Sequence, residues 1–364
     1  MRIGFDQQIF TLQEYGGISR YVCSLADKLA DIESVECKIF APLHINAYLE
    51  KLPKGMVFGI KMPKIPKTSR LFQQSSHWLA RSAVAKYAPQ IMHETYYSAN
   101  TIAPRGACTV VTVYDMIHER SPFMFPSHDK TSDWKRIATQ RVDHVICISE
   151  STRNDLLEFF DLPEENVSVV YLGFDGLISE IEKEGNHQKP YLLYVGQRGG
   201  YKNFEGFLTA YASSPWLRNN FDVVCFGGGV FTNAETRLFA ELGLTDNRLI
   251  QMSGSDNKLA NCYRGAALFV YPSLYEGFGI PPLEAMSLDC PVVCSDSSSI
   301  PEVVGNAAEY FDPKNRESMR TAMEKVLNSP TRRTELIECG HVRCTQFSWK
   351  RCADETLAIY RGLM

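Results

Sequence analysis

Short apolar segments alternate with longer amphipathic segments along nearly the whole chain, and this alternation limits the fold more than any other feature. In the first half, strands are predicted at 2–5, 36–40, 90–93, 108–114, 144–149 and 167–172, and helices at 18–31, 69–87, 132–141 and 150–160. In the second half, strands are predicted at 191–196, 221–227, 248–252, 267–272 and 290–295. Strands that alternate with helices form parallel sheets covered by helices on both faces. We therefore predict an α/β protein of two tandem, Rossmann-like, doubly wound parallel-sheet domains.

The stretch 176–190 separates the two halves, because it is charged, contains glycine and closes with a proline. We interpret it as a linker between a first domain at 1–175 and a second domain at 191–346. The segment 347–364 has the pattern of an amphipathic helix, which we expect to pack back on the first domain. Ligands of doubly wound sheets bind beyond the carboxyl ends of the strands, so we expect a cleft between the facing ends of the two domains.

Composition excludes several classes of protein. Acidic residues outnumber basic ones 42 to 38, so no overall basic excess exists to hold a nucleic acid. Cys147, Cys225 and Cys294 lie in apolar strands and none of the 11 cysteines has zinc-like spacing, which indicates free thiols in a reducing compartment and no metal site. No apolar run reaches the roughly eighteen residues of a membrane-spanning helix. Asp6 also interrupts the segment where a signal peptide would be apolar, so we expect a cytoplasmic protein.

The most informative segment is YPSLYEGFGIPPLEAMSLDCPVVCSD, at 271–296. An apolar strand ends, Glu276 follows in a loop with Gly277-Phe278-Gly279, and a helix that carries Glu284 comes next. Glycines before a helix allow backbone N–H groups to approach an anion closely. Glu276 is suited to accept hydrogen bonds from sugar hydroxyls, and Glu284 to bind a ribose diol. The plainer interpretation is a glycine turn with two solvated glutamates.

A second segment, YVGQRGGYKN at 194–203, combines a glycine-rich loop with two cations. A strand ends at Gly196, and Arg198 and Lys202 lie in the loop that follows. A guanidinium and an ammonium together can neutralise a diphosphate; the plainer interpretation is a pair of exposed cations. The glycine spacing matches neither the dinucleotide fingerprint nor a phosphate-binding loop, which makes a nicotinamide oxidoreductase improbable. In the first domain, Gly16-Gly17 opens a helix after the first strand, a weaker signal of the same kind.

These segments together resemble family 4 retaining glycosyltransferases of the GT-B fold. The resemblance rests on GGISRY at 16–21, on VGQR and YKN, and on PSLYEGFGIPPLEAM followed by PVVCSD and PEVVG. It implies that Glu276 contacts the donor sugar, that Glu284 binds the ribose, and that Arg198 and Lys202 hold the diphosphate. It further implies donor contacts from the loop backbone, at these positions: Gly17, Gly196, Gly277, Phe278, Gly279 and Ile280.

The chain departs from the family pattern in the first domain. Many members have His-Asp after the strand at 108–113, where this chain has Tyr114-Asp115. Asp115 is our candidate at the sugar or acceptor, and His118 is a candidate replacement for the missing histidine. His93 ends the predicted strand at 90–93, and two roles are open for it: a sugar or acceptor contact, or a structural role in the core.

The resemblance implies a retaining hexosyltransferase that needs no cofactor and no metal. The acceptor hydroxyl attacks from the side on which the diphosphate leaves, and fixed cations stabilise the growing charge. Base rates favour glucose from UDP-glucose, passed to a glycan or lipid-linked acceptor in surface or exopolysaccharide assembly. The alternatives are a GDP-mannose-dependent mannosyltransferase, a GT-B sugar-nucleotide epimerase or glycan phosphorylase, and a non-catalytic sugar-nucleotide binder.

One segment has a strongly lopsided charge. From Lys51 to His93 the chain has no Asp or Glu and eight cations, with Leu71, Phe72, Trp78 and Leu79 between them. A basic amphipathic helix of this kind can lie on an anionic membrane. The two interpretations are a peripheral contact with the inner face of a membrane and a solvated basic face whose aromatic residues lie in the core.

Overall fold

The computed structural model describes residues 1–64, 69–177, 189–244 and 248–364. These residues form two compact units, one of 1–173 with 347–364 and one of 174–346. The predicted linker at 176–190 lies almost entirely outside the described residues. No helix in the described part of the chain is long and apolar enough to cross a bilayer.

The first unit contains a parallel sheet of seven described strands in the order β3-β2-β1-β4-β5-β6-β7. The strands are β1 (Arg2–Phe5), β2 (Glu36–His44), β3 (Val57–Lys61), β4 (Ile91–Glu94), β5 (Cys108–Val113), β6 (His144–Cys147) and β7 (Val167–Val169). The helices between them are α1 (Gln8–Leu12), α2 (Gly17–Ala30), α3 (Ser69–Tyr87), α4 (Ile117–Arg120), α5 (Thr131–Arg141) and α6 (Glu150–Phe159). Ser149 caps α6, since its side chain accepts a hydrogen bond from the Thr152 N–H.

The second unit contains a parallel sheet of six described strands in the order β10-β9-β8-β11-β12-β13. The strands are β8 (Tyr191–Val195), β9 (Asp222–Phe226), β10 (Leu249–Met252), β11 (Leu268–Tyr271), β12 (Val292–Ser295) and β13 (Glu309–Phe311). The helices are α7 (Phe204–Ala212), α8 (Pro215–Asn220), α9 (Asn233–Glu241), α10 (Asp256–Gly265), α11 (Ile280–Met286), α12 (Ile300–Val304), α13 (Arg316–Leu327) and α14 (Pro330–Cys344). Buried side chains of β8, α7 and α13 form much of its core, among them Tyr194, Phe207 and Met323.

The last helix, α15 (Trp349–Gly362), is part of the first unit. Its Trp349 ring lies 6.1 Å from the ring of Tyr21 on α2. The approach to Gly173 is close, because a Cβ there would lie 2.5 Å from the Trp349 Cα. A glycine is therefore required where the chain leaves the first unit.

The predicted fold class, two parallel-sheet α/β domains, is confirmed. The predicted helix at 69–87 coincides with α3, whereas the predicted strand at 167–172 ends at Val169. Two strands were not predicted: β3, an edge strand with four of its five residues exposed, and β13, which has only three residues. Both lack the buried apolar run that marks the central strands.

Candidate active site

Two loops of the second unit meet at the carboxyl ends of β8 and β11, which are neighbours in the sheet. The Lys202 Nζ lies 2.7 Å and 3.0 Å from the two carboxylate oxygens of Glu276. The Leu274 N–H donates to the Tyr201 carbonyl at 2.7 Å, which ties the two loops by their backbones as well. The structure thus brings together the cation and the carboxylate that the two sequence segments supplied.

The Lys202–Glu276 ion pair is largely shielded from water, with side-chain exposures of 21% and 11%. The Lys202 ammonium also lies over the rings of Tyr201, at 5.2 Å, and Tyr271, at 5.9 Å. Burial and the nearby Glu276 carboxylate raise the pKa of Tyr271 well above its ordinary value. An anionic group that enters this place competes with Glu276 for the lysine, and the low local polarity strengthens that competition.

The backbone around Glu276 has the conformations that the glycines allow. Gly279 has φ of 114° and Gly196 has φ of 125°, a region that residues with a Cβ rarely adopt. Phe278 is buried as a whole residue, and its carbonyl accepts a hydrogen bond from the Ser299 hydroxyl at 2.8 Å. Ile280 begins α11, and Gly277 lies in the loop between Glu276 and Phe278.

Glu284 lies on α11 as predicted but is 8% exposed. One of its carboxylate oxygens accepts a hydrogen bond from the Tyr263 hydroxyl at 3.1 Å. Burial and this carboxylate raise the pKa of Tyr263. The predicted ribose contact therefore involves a carboxylate whose direction is already set by a buried tyrosine.

Arg198 lies in the predicted loop after β8, and its guanidinium is buried in the second unit with 3% of its side chain exposed. Its Nε donates to Glu235 at 2.6 Å, and its other nitrogens donate to four consecutive carbonyls, those of Gly227, Gly228, Gly229 and Val230. The three glycines have φ of 90°, 69° and 74°, which allows the loop to wrap around the guanidinium. Burial acts to raise the pKa of Glu235, but hydrogen bonds from Arg198 and Thr232 outweigh it and lower that pKa. Arg198 thus holds this loop in the described structure, and its contact with a diphosphate stays a prediction.

In the first unit, Asp115 and His118 lie near one another around a lysine that the sequence did not reveal. Lys135 on α5 is completely buried, and its Nζ donates at 2.8 Å to the Asp115 carbonyl and at 2.8 Å to Glu119. The His118 ring stacks on Phe125. Burial and the Lys135 charge lower the pKa of His118. The Asp115 carboxylate remains 37% exposed. Gly17, at the start of α2, has open space where a side chain would be.

His93 lies in the interior of the first unit, and both of its ring nitrogens have partners. Nδ1 is hydrogen-bonded to the Tyr360 hydroxyl on α15, and Nε2 to the Thr112 hydroxyl at 2.9 Å. The ring also stacks on Phe5. With 1% of the residue exposed, His93 links the β4 strand to α15, and a contact with a sugar or an acceptor stays a prediction.

Burial lowers the pKa of His93 to about 3, against about 6.5 for an exposed imidazole. Since the unfolded chain takes up this proton first, the free energy of unfolding falls as the pH drops below the unfolded value. We expect this residue to account for a loss of about 2 kcal/mol between about pH 7 and pH 5. Urea unfolding of His93→Gln at both pH values should show a smaller loss, with exposed His128→Gln as the control. Equal losses in His93→Gln and the native chain would contradict this account.

Sequence reasoning missed three further groups that support these loops. They are Lys135, the carbonyls of 227–230, and the hydroxyls of Ser298 and Ser299, which bind the loop that carries Glu276. The run SDSSS after β12 was a visible signal for the serines. Among the described residues, no three His, Cys, Asp or Glu side chains converge as a metal site requires.

Comparison with known proteins defines the class of this fold. The sucrose-phosphate synthase of Thermosynechococcus elongatus is similar over 100% of this chain and 98% of its own, with a TM-score of 0.77 and 19% identity. The two parallel-sheet units are thus those of the GT-B fold. Residues 178–342 match the family described as Glycosyl transferases group 1, and residues 15–175 match Glycosyltransferase Family 4. The chain belongs to the group 1 glycosyltransferases, which confirms the resemblance seen in its sequence.

Two curated relatives cover most of the chain. The O-antigen chain mannosyltransferase B of Escherichia coli is 26% identical over 95% of this chain and 96% of its own. The O-antigen chain mannosyltransferase RfbU of Salmonella typhimurium is 28% identical over 86% of this chain and 88% of its own. Both relatives are named as mannosyltransferases. The sequence analysis favoured glucose as the transferred sugar and gave mannose as an alternative.

Proposed function

We propose that this glycosyltransferase is a retaining mannosyltransferase that uses GDP-mannose and extends a glycan or lipid-linked acceptor in surface polysaccharide assembly. The observation that carries the proposal is the contact between Lys202 and Glu276, which joins a phosphate-neutralising cation to a sugar-binding carboxylate. The names of the two O-antigen relatives support mannose over glucose as the transferred sugar. UDP-glucose remains the second candidate donor.

The reaction follows from the charges at this site. The bond between the sugar C1 and the diphosphate oxygen breaks, and the acceptor oxygen bonds to C1 on the same face. The acceptor proton passes to the departing diphosphate, so no carboxylate nucleophile is needed. Negative charge grows on the diphosphate in the transition state, where the Lys202 ammonium stabilises it. Glu276, once separated from Lys202, accepts hydrogen bonds from the sugar hydroxyls.

The remaining site residues support donor and acceptor. Glu284 binds the ribose, and the loop backbone at Gly196 and Gly277–Ile280 contacts the sugar and the phosphates. In the first unit, Gly17, Asp115 and His118 are the proposed contacts. Arg198 at the diphosphate and His93 at the sugar or acceptor are proposed contacts whose polar atoms are bonded inside their own units in this structure.

A panel of nucleotide sugars tests the donor. We expect GDP-mannose to raise the melting temperature more than UDP-glucose, and the product to keep the anomeric configuration of the donor by NMR. Activity should persist in a chelator, since the proposal includes no metal or other cofactor. An inverted product or loss of activity in chelator overturns the mechanism, and a larger shift with UDP-glucose overturns the donor. Release of sugar 1-phosphate that depends on phosphate would indicate a phosphorylase.

We further propose that the basic segment 51–93 binds an anionic membrane surface where a lipid-linked acceptor would lie. On α3, Leu71 and Trp78 are each 69% exposed, seven residues apart and so on one face of the helix. Ser76, Ala80 and Val84 are buried on the opposite face. Trp78 therefore does not lie in the core, contrary to the second interpretation of this segment.

Arg81 and Lys86 flank this apolar stripe on α3. The described cations of the segment are all exposed: Lys51, Lys54, Lys61, Lys64, Arg81 and Lys86. Lys67 and the side chain of Arg70 lie outside the described residues. Phe58 and Ile60 on the edge strand β3 add exposed apolar surface. Each cation near the surface contributes about 1 kcal/mol toward an anionic bilayer.

Co-sedimentation with vesicles tests this contact. We expect the protein to bind vesicles rich in phosphatidylglycerol, to release them in about 0.5 M salt, and to ignore neutral phosphatidylcholine vesicles. Trp78→Ser, or the joint change of Lys64, Arg81 and Lys86 to Glu, should abolish binding. Phe123→Ser is the matched control, since Phe123 is 80% exposed in the same unit but outside the segment. Binding that is indifferent to anionic lipid or to these changes overturns the proposal.

A further inference from the structure

The loop that carries Glu276 is held by hydroxyl groups from the end of the neighbouring strand, β12, and from the loop that follows it. β11 precedes this loop, and β12 lies beside β11 with Tyr271 opposite Cys294. At the start of the contact, the Ser295 hydroxyl donates to the Ser273 carbonyl at 2.6 Å, and both residues are buried. The two loops are thus joined from their first residues onward.

Ser298 and Ser299 bind the loop on both sides of Glu276. The Glu276 N–H donates to the Ser298 hydroxyl oxygen at 2.8 Å. The Ser299 hydroxyl lies 2.9 Å from the Glu276 carbonyl and 2.8 Å from the Phe278 carbonyl. Because a hydroxyl has one proton, this bond is shared between the two carbonyls.

Local structure does not account for these serine positions. Ser299 is the N-cap residue of α12, where a serine ordinarily accepts a hydrogen bond from its own helix, yet it makes no such bond. Ser298 has φ of 52°, in the left-handed region that glycine and asparagine tolerate better than serine does. Unfavourable backbone of this kind persists where the surroundings demand it, and it concentrates at functional sites.

The serines set the direction of two peptide N–H groups. A peptide bond is planar and trans, so its N–H points opposite to its carbonyl. When Ser299 draws the carbonyls of Glu276 and Phe278 toward itself, the N–H groups of Gly277 and Gly279 point away from it. Ser298 at the same time fixes the backbone from which the Glu276 carboxylate extends toward Lys202.

We propose that Ser298 and Ser299 are positioning residues for the donor: they direct the Glu276 carboxylate and the Gly277 and Gly279 N–H groups at the sugar and diphosphate of a nucleotide sugar. The inference rests on the proposed function, since it supposes that these groups bind a donor. Neither serine touches the donor itself. They act on catalysis only through the direction of the Glu276 carboxylate and of the two N–H groups.

Steady-state kinetics with GDP-mannose and UDP-glucose, and binding of GDP alone, test the assignment. We expect Ser299→Ala and Ser298→Gly to lower kcat by about 10- to 100-fold with a much smaller change in GDP affinity. Ser298→Asn should retain most of the activity, because asparagine tolerates the left-handed conformation and keeps an acceptor oxygen. Ser213→Ala is the control, since the Ser213 hydroxyl binds the Ala210 carbonyl at the end of α7.

The outcomes separate the positioning role of the two serines from the proposed function. If the native chain transfers sugar and Ser298→Gly and Ser299→Ala match Ser213→Ala in kcat, the positioning role is wrong and the proposed function stands. If the native chain transfers sugar from no nucleotide sugar, both are wrong. Should Ser299→Ala fail to fold, the comparison of Ser298→Gly with Ser298→Asn decides. Glycine adopts this φ without strain, so Ser298→Gly removes only the hydroxyl acceptor. Equal losses in that pair overturn the proposal.

Discussion

Replacement of Lys202 with alanine is expected to lower kcat by about 10²–10³-fold, as removal of one fixed charge-stabilising donor does elsewhere. The affinity for GDP should change much less, because the charge that Lys202 meets is largest in the transition state. Timed assays of sugar transfer measure kcat, and calorimetric titration with GDP measures the affinity separately. Lys314→Ala is the control, an exposed lysine of the same unit.

The double variant Lys202→Ala/Glu276→Gln guards against an indirect cause. Loss of the lysine alone leaves the Glu276 carboxylate shielded from water without this counter-charge. Because Glu276 is itself proposed to bind the sugar, the readout is GDP affinity. If the unpaired carboxylate disturbed this loop, Lys202→Ala alone would weaken GDP binding, and the neutral amide of the double variant would restore it. We expect GDP affinity to change little in either variant. An unchanged kcat in Lys202→Ala would mean that this loop does not face the departing group.

Lys135→Met is expected to lower the free energy of unfolding by about 3–5 kcal/mol, the usual result when one partner of a buried ion pair is removed. The Lys135 and Glu119 side chains are 0% and 3% exposed, so the variant leaves a buried, uncompensated carboxylate. The Asp115 carbonyl also loses a donor. Urea unfolding measures the loss, and the exposed Lys130→Met should cost less than about 0.5 kcal/mol.

A second substitution shows whether the unpaired Glu119 charge causes the loss of stability in Lys135→Met. In Lys135→Met/Glu119→Gln no charge of the pair remains, and such replacements often recover stability. We expect the double variant to be more stable than Lys135→Met. A double variant as unstable as Lys135→Met would show that the lost hydrogen bond to the Asp115 carbonyl, and not the unpaired Glu119 charge, causes the loss.

The sequence predicted what depends on local pattern and missed what depends on contacts between distant segments. The helix at 69–87 was predicted with its observed bounds, because its apolar spacing is regular. Glu276 and Lys202 were found because each lies beside glycines at a strand end. Arg198 looks the same in sequence, but its surroundings come from residues 227–235, which the fold alone brings to it.

Lys135 shows the same limit on a helix. Ala138 and Thr139 are buried three and four residues further along α5, so Lys135 occupies a core-facing position. Helical spacing alone therefore places this lysine in the core of the first unit. Lysine is rarely buried without a partner, so the sequence by itself argues against that placement. The partners that make it acceptable, Glu119 and the Asp115 carbonyl, belong to α4 and the loop before it. Pattern indicates the position, whereas only the fold supplies the counter-charge.

The placement of α15 has a consequence for how the chain is made. The first unit needs residues 347–362 for its interior, since His93 binds Tyr360 and Tyr21 lies against Trp349. During synthesis, that unit remains incomplete until the ribosome has passed through the whole of 174–346. The second unit is one continuous stretch, 174–346, which is translated before α15. The order of completion is thus the reverse of the order of translation.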